Sequence, residues 1–301
     1  MTRAPAPFPL ERLADILERP EDFRLLERIP LTREPQTWPL ELSPVVGDER
    51  PMVLLDTETT GLSADDESII ELGMVKVLYS PSAKRIVSIV DVISLYEDPG
   101  KPIPELITEL TGITDEMVQG QRIDEAMVAS WLSDDPLVVA HNAQFDRPFF
   151  EKRFAALGHL SWACSASGID WKALGFESRK LEYLLLRLGW FYEGHRAATD
   201  CLAMAWLFYL LPESVANLLS EADRRTVLVR AFGAPFDVKD YLKERGYRWH
   251  DGVKGANKHW WREISEDELP QEQTYLDDLY HRGSEHAHYD YKDARNRFKA
   301  L

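Results

Sequence analysis

The stretch Met52-Val53-Leu54-Leu55-Asp56-Thr57-Glu58-Thr59-Thr60-Gly61-Leu62 decides the fold. Its first four residues are a continuous apolar run, which is typical of a strand buried on both faces. The strand period of two puts the Asp56 and Glu58 carboxylates on one side and Thr57 on the other. Two like charges held together are costly without a cation between them, and oxygen ligands of this kind suit Mg²⁺ or Mn²⁺. Taken alone, the pair is weak evidence, because two solvated turn residues at a strand end would be the better explanation.

Apolar patterns around this strand predict an α/β domain with a mixed sheet over residues 52–212. The segments Ile69–Tyr79 and Ile86–Tyr96 are β-rich and are interpreted as a meander. Leu137–Ala140 is predicted to be another buried strand. Helical spacing predicts five helices, which are Glu105–Leu110, Ile123–Leu132, Arg147–Leu157, Arg179–Leu188 and Ala197–Leu211.

Two further segments flank this domain. Residues 1–51 are rich in proline and charge and are interpreted as an N-terminal arm on the main domain, with helices expected at Leu10–Glu18 and Asp22–Glu27. Residues 213–301 are predicted to be a small C-terminal α/β module. Its predicted elements are a linker or short helix at 213–223, strands at Thr226–Phe232, Tyr247–His250 and His259–Glu263, and helices at Val238–Arg245 and Glu266–Asp278.

Composition places the 301-residue chain among ordinary globular proteins. It is 45% hydrophobic and 29% charged, which excludes a disordered, collagen-like or coiled-coil chain. No apolar run is long enough for a transmembrane helix, and the first residues lack the apolar core of a secretion signal. Cys164 and Cys201 are most simply reduced thiols. We therefore expect a cytoplasmic protein with no membrane partner. The sequence does not indicate which protein partners or which oligomeric state it has.

Charge is unevenly distributed along the chain. The formal net charge is −16, which by itself argues against a nucleic-acid partner. The acidic excess is confined to residues 1–223, whereas residues 224–262 hold ten basic and four acidic residues. The acidic part of the chain can contain carboxylates that bind a metal ion together. The basic segment 224–262 is a separate feature of the chain.

Two more motifs carry polar groups near strand and helix ends. His141-Asn142-Ala143-Gln144-Phe145-Asp146 follows the strand 137–140, where α/β folds present functional groups. Asp146 is a candidate third carboxylate of the same site and a candidate cap of the following helix, and both roles could hold in part. In Gly194-His195-Arg196-Ala197-Ala198-Thr199-Asp200, a continuous helix would separate His195 from Asp200 by about 140°. If both serve one site, His195 must lie on the loop before the helix, and Gly194 makes such a loop easy to form.

In these contexts and this order, Asp56, Glu58, Asp146, His195 and Asp200 resemble the DnaQ-like 3′–5′ exonuclease family of the DEDDh type. Ile70-Glu71-Leu72-Gly73, Leu110-Thr111-Gly112-Ile113-Thr114 and Lys180-Leu181 also match. The resemblance covers about residues 50–212. It implies a ribonuclease-H-like fold, with a mixed sheet flanked by helices.

The resemblance also implies a mechanism. Two divalent ions, Mg²⁺ or Mn²⁺, are expected on Asp56, Glu58, Asp146 and Asp200, and such ion pairs clamp the attacking and leaving oxygens at phosphorus. His195 is expected to be the general base. The substrate is expected to be a single-stranded 3′ end of DNA. Residues expected to receive the terminal nucleotide are Thr57, Thr59, Thr60 and Leu62 on one wall, and His141, Asn142 and Phe145 on the other.

Two alternatives remain open at this point. The same mechanism could act on RNA, because discrimination depends on contacts to the 2′ hydroxyl. A nucleic-acid-binding accessory protein with an inactive exonuclease fold is disfavoured, since all five catalytic-type positions carry the required residue.

In the C-terminal module, aromatic and basic residues are interleaved over 224–262. Basic groups can follow the phosphates of a strand, and aromatic rings can stack on its bases, so this pattern predicts binding of single-stranded nucleic acid. Residues 252–258, with Lys254 and Lys258, are predicted to be a basic loop between two strands. The alternative is that the rings supply the core that so small a module needs. Strand alternation predicts opposite faces for Trp260 and Trp261, so at most one belongs to that core.

Overall fold

The computed structural model describes residues 9–33, 36–252 and 257–300. They divide into two compact units. The first comprises the residues up to Glu221 together with those from Phe298 onward, and the second comprises Ala222–Arg297. Segment 213–223 is a helix whose Val215 and Leu218 are buried, so the first unit continues past residue 212. Lys254 and its immediate neighbours in the predicted basic loop lie outside the described residues.

The first unit is built on a six-stranded mixed sheet in the order β2-β5-β4-β3-β6-β7. The three strands β3, β4 and β5 form the predicted antiparallel meander, and β6 and β7 continue the sheet in parallel from β3. The strands of this unit are β1 (Glu27–Arg28), β2 (Leu40–Glu41), β3 (Arg50–Thr59), β4 (Ile69–Ser80), β5 (Arg85–Tyr96), β6 (Leu137–Ala140), β7 (Trp162–Cys164) and β8 (Trp190–Phe191).

Helices cover both faces of this sheet. The helices are α1 (Leu13–Glu18), α2 (Glu105–Thr111), α3 (Asp115–Val118), α4 (Glu125–Trp131), α5 (Ala143–Arg153), α6 (Leu181–Arg187), α7 (Ala197–Leu210) and α8 (Pro212–Asp223). Val53 and Leu55 of β3 share a buried cluster with Phe149 and Phe150 of α5. Alternate residues of β3 therefore face the other layer, where α7 packs against β3, β4 and β5. The predicted mixed sheet flanked by helices is confirmed.

The arm differs from its prediction. The helix expected at Asp22–Glu27 is wrong: a 3₁₀ turn at Pro20–Asp22 gives way to extended chain, and β1 pairs in parallel with β8. The backbone amide of Glu27 donates to Gly189 O at 2.9 Å and that of Ile29 to Phe191 O at 3.0 Å. These long-range hydrogen bonds override the local charge pattern. The arm also supplies β2, which pairs with the edge strand β5.

The second unit is a four-stranded antiparallel sheet in the order β10-β11-β9-β12. Its elements are β9 (Thr226–Ala231), α9 (Lys239–Glu244), β10 (Arg248–His250), β11 (His259–Ser265), α10 (Leu269–Leu279), α11 (Gly283–His286) and β12 (Ala287–Lys292). The predicted α/β module is confirmed, with β12 and α11 in addition. Val229 and Trp260 of the sheet and Leu242 and Leu276 of the helices meet in its core.

In the described part of the chain, no single helix is long and apolar enough to cross a membrane. The bent pair α7 and α8, at 106° to one another, passes only a length and composition test.

Candidate active site

The candidate site lies at the carboxyl end of β3. This strand runs parallel to β6, so both chains leave the sheet at the same edge, β3 through Asp56 and Glu58 and β6 through His141. The strand alternation deduced from sequence is reproduced. Asp56 and Glu58 face the layer of α7, and Thr57 faces α5, where it hydrogen-bonds Asp146.

Gly73 brings α7 against this strand end. It is the cross-strand partner of Asp56 in β4. A Cβ atom at residue 73 would lie 2.3 Å from the carbonyl carbon of Ala197 and from the amide nitrogen of Ala198. Only glycine therefore lets the first turn of α7 contact β4, and that turn carries Asp200. The glycine is part of a motif matched in the sequence, but its role depends on the strand register.

Three carboxylates converge as a result. One oxygen from each of Asp56, Glu58 and Asp200 can be chosen so that all lie within 4.8 Å of one another. Asp200 is held on both oxygens, because the Tyr192 hydroxyl donates to Oδ1 at 2.9 Å and the Arg196 amide donates to Oδ2 at 3.1 Å. The carboxylate of Asp200 therefore has a fixed orientation in this acidic site.

Asp146 reaches the same cleft from the opposite layer. It lies in the first turn of α5, which begins at Ala143 rather than at the predicted Arg147. Its Oδ1 accepts hydrogen bonds from the Thr57 amide at 3.1 Å and the Thr57 hydroxyl at 2.8 Å. The N-cap position of α5 is occupied by Asn142 rather than by Asp146, and the two bonds from Thr57 join Asp146 to β3. Asp146 lines the cleft but stands outside the 4.8 Å group.

The charged forms of the four carboxyl groups are all disfavoured, because the groups are buried close to one another. Burial, reinforced by the neighbouring Asp146 and Asp200, raises the pKa of Asp56 well above its usual range. Burial and Asp200 raise the pKa of Glu58 to about 8. Burial also raises the pKa of Asp146 to about 7, although the Thr57 hydrogen bonds lower it, and raises that of Asp200. A hard divalent cation would offset this repulsion with the ligand type it prefers, so the donor set fits a metal.

Two histidines border the cleft, and their surroundings separate their roles. His195 is exposed and lies on the loop before α7, as predicted, with a φ of 64°. His141 is held through both ring nitrogens: Nε2 donates to Arg179 O at 2.7 Å, and Nδ1 lies 2.8 Å from Ser165 Oγ. Burial lowers the pKa of His141 to about 4. His141 is thus a neutral wall residue, and His195 has the accessible ring.

The predicted substrate-lining residues fall into two groups. Those that line the cleft are Thr57, His141, Asn142 and Phe145, and Leu181 and Met204 join them from α6 and α7. Thr59 and Thr60 are buried beyond it; the Thr59 hydroxyl donates to Gly61 O at 2.6 Å, and that of Thr60 to Glu67. Leu62 is 88% exposed on the loop between β3 and β4. The structure therefore does not bring these three to the carboxylates.

Sequence reasoning missed the roles of Glu71 and Arg196. Glu71 is the cross-strand partner of Glu58 and is 1% exposed. It accepts hydrogen bonds from Arg196 Nε at 3.1 Å, the Ala197 amide at 3.2 Å and Ser94 Oγ at 2.6 Å. This network fixes the chain on both sides of the start of α7, directly after His195. An acidic residue inside an otherwise apolar strand is the signal that could have identified it.

A protein-family model described as "Exonuclease" matches residues 53–208, more than half of the chain. The chain therefore belongs to this exonuclease family, of DnaQ-like DEDDh type.

Among curated proteins, the chain is similar to bacterial proteins named DNA polymerase III PolC-type. It is 33% identical to that of Bacillus subtilis over 180 residues, which is 56% of this chain and 12% of the relative. It is 41% identical to that of Halalkalibacterium halodurans over 108 residues, or 35% of this chain and 7% of the relative. The chain thus spans only a small part of the length of these relatives.

Solved structures similar to this chain include "Exonuclease X in complex with 5′ overhanging duplex DNA". It has a TM-score of 0.43 and 22% identity, and the match covers 56% of this chain and 98% of that one. A second is the nuclease domain of 3′hExo bound to rAMP, with a TM-score of 0.43, 17% identity, and coverage of 56% and 94%.

Proposed function

We propose that this protein is a metal-dependent 3′–5′ exonuclease that removes nucleotides from the 3′ ends of DNA. The observation that carries the proposal is the convergence of Asp56, Glu58 and Asp200 within 4.8 Å beside the loop that presents His195. The choice of DNA is supported by the 30–41% identity to DNA polymerase III proteins. The direction of digestion is supported by the family to which the chain belongs.

Two divalent ions, Mg²⁺ or Mn²⁺, would be held by Asp56, Glu58, Asp146 and Asp200, and would lower the pKa of the attacking water and offset the charge of the phosphodiester. His195 accepts the proton of that water on a ring nitrogen and passes it to solvent, to which it is exposed. The cleft has a volume of about 230 Å³. Sites that enclose a whole drug-sized ligand hold roughly 300–1,000 Å³, so this cleft suits the end of a longer chain.

Substrate binding is assigned to both walls. Phe145 and Asn142 line one side of the cleft, and the ring of His141 contributes its face because its nitrogens are occupied. Leu62 packs against the terminal base from the exposed β3–β4 loop. Thr59 and Thr60 support it by holding the backbone from which this loop leaves. The two cysteines, both buried and free, are in keeping with a cytoplasmic location.

The test is digestion of three substrates of one sequence, single-stranded DNA, duplex DNA and RNA, each labelled at the 5′ end. The expected result is stepwise shortening of DNA with Mg²⁺ or Mn²⁺, release of nucleoside monophosphates and no reaction in EDTA. The Asp200→Asn variant, purified in parallel, controls for contaminating nucleases. Faster digestion of RNA than of DNA would show that the substrate is RNA rather than DNA. No digestion of any substrate with either ion would contradict it.

A further inference from the structure

In the described part of the second unit, the helices α9 and α10 pack on one face of the sheet. Val227, Val229, Trp260 and Ile264 point from the sheet into the core that α9 and α10 complete. Trp260 is 7% exposed, whereas Trp261 is half-buried and absent from that core. Adjacent strand residues point to opposite faces, so Trp261 belongs to the face away from the helices. The alternative that packing alone explains these rings holds for Trp260 and fails for Trp261.

A row of basic and aromatic side chains crosses this second face. Arg248 of β10 is the cross-strand partner of Trp261, Trp261 is the partner of Arg230 in β9, and Arg230 is the partner of His288 in β12. Neighbours of this kind have Cβ atoms about 4.5–5.5 Å apart, so the row runs roughly 15 Å across all four strands. The guanidinium carbon of Arg248 lies 5.5 Å from the centre of the Trp261 ring.

A second row of rings lies beside the first. His250 and His259 are cross-strand partners whose ring centres are 4.9 Å apart, and Phe232 lies 4.9 Å from His259. The rings of His250, His259 and Phe232 thus form a row next to the row of Arg248, Trp261, Arg230 and His288. The face therefore carries flat rings and cations together near the ends of β10 and β9.

Acidic groups on this face are engaged by their neighbours. Glu263 accepts a hydrogen bond from the Thr226 hydroxyl at 2.6 Å. Asp290 pairs with Arg230 at 2.6 Å and lies 3.4 Å from His288. Both acids lie on the side of the basic row away from the ring row. Arg248, exposed and stacked on Trp261, is thus the cation best placed to meet a ligand.

We propose that this face binds single-stranded nucleic acid, with a base on Trp261 and phosphates at Arg248 and the adjoining row. Charge complementarity selects a polyanion, because Arg248 is an exposed cation beside Trp261, whereas the acids Glu263 and Asp290 of this face are engaged by Thr226 and Arg230. Flat rings beside cations select one with unstacked bases. The inference rests on the proposed function only in that both concern nucleic acid, and it adds a second contact surface outside the carboxylate cleft.

The test measures binding of the full-length chain to a fluorescein-labelled thymidine oligonucleotide of about 30 nucleotides. Fluorescence anisotropy is recorded in EDTA, so the result does not depend on whether the protein hydrolyses DNA. The Trp261→Ala, Arg248→Gln double variant should bind roughly tenfold more weakly or worse, since stacking on an aromatic ring is worth several-fold to a hundredfold per base. Its salt dependence should lose about one unit of slope.

A matched control exists on the helix side of the same sheet. Phe236 is 79% exposed, and Lys239 Nζ lies 3.7 Å from the centre of its ring. The Phe236→Ala, Lys239→Gln double variant removes the same kinds of group and should bind within about twofold of the wild type. Thermal unfolding should show that both variants are folded.

Equal affinity of the Trp261 and Arg248 variant and the wild type over a salt titration would overturn the proposal. Equal loss of affinity in both double variants would also overturn it, because the sheet face would then have no special role. Success of this binding test with failure of the digestion test would reject the exonuclease proposal alone, and the reverse result would reject the binding face alone.

Discussion

Gly73→Ala tests the idea that close approach of a helix to a strand assembles the acidic site. The substitution adds one methyl group at the cross-strand partner of Asp56. That methyl carbon would lie 2.3 Å from the carbonyl carbon of Ala197 and the amide nitrogen of Ala198. Both are backbone atoms at the start of α7, so no side-chain rotation can relieve the overlap.

The size of the expected effect follows from these distances. Ordinary contacts of a Cβ atom begin at 3.4 Å, so the start of α7 must withdraw by about 1 Å. Asp200 is in the first turn of that helix and moves with it. A misplacement of about 1 Å can lower a rate by about 10²-fold. Overpacking costs about 1–3 kcal/mol, which is small enough for most domains to remain folded.

The assay is kcat on labelled single-stranded DNA with saturating Mn²⁺, together with the free energy of unfolding. Gly158→Ala is the matched control, because its new methyl group would meet Ala155 O at 3.4 Å and its φ of −64° suits alanine. Its kcat should stay within about twofold of the wild type. A folded Gly73→Ala protein with a kcat within about threefold of the wild type would refute the reasoning.

Three further predictions concern the cleft. Asp56→Asn should nearly abolish turnover and raise the unfolding temperature in EDTA at neutral pH, since it removes a carboxyl group whose charged form is disfavoured by burial and by its acidic neighbours; a lower temperature would argue against that effect. His195→Ala should lower kcat by ~10²–10⁴-fold and leave the metal affinity measured by calorimetry nearly unchanged; a collapse of that affinity would make His195 a ligand. The folded-state pKa of Glu58 is raised from 4.5 to about 8, so its stabilising contribution is complete below pH 4.5 and is lost as the pH rises to about 8. Urea unfolding in EDTA should show this loss, and Glu58→Gln should flatten it; an unchanged slope in the variant would contradict the assignment.

Local patterns predicted the elements that are long or continuously apolar. The runs ending at Leu55 and Ala140 are strands, and the apolar helix α7 begins at the predicted Ala197. Short elements escaped prediction for a physical reason. The strand β7 has three residues and β1 has two, so each exists because a neighbouring strand supplies its hydrogen bonds.

The sequence predicted which residues form the site, but only part of their spatial arrangement. Spacing placed Asp56 with Glu58 and put His195 on a loop. The functions of Glu71 and Gly73 depend on the register that pairs them with Glu58 and Asp56. Register is set by the whole sheet, and a one-residue slip would reverse every side chain. The acidic residue inside an apolar strand marks Glu71 as unusual, but only the register shows that its carboxylate accepts hydrogen bonds from Arg196.

The pairing of β1 with β8 connects the N-terminal arm to the segment that leads into α7. The chain passes from β8 at Phe191 to Tyr192, which hydrogen-bonds Asp200, and then to His195. Arg28 of the arm binds Glu193 in this segment at 2.9 Å and lies over the Phe191 ring. Arm docking and loop geometry are thus thermodynamically linked, and linkage is reciprocal. The stretch of family similarity, which starts at residue 53, accordingly leaves out arm residues that contact the segment leading to His195.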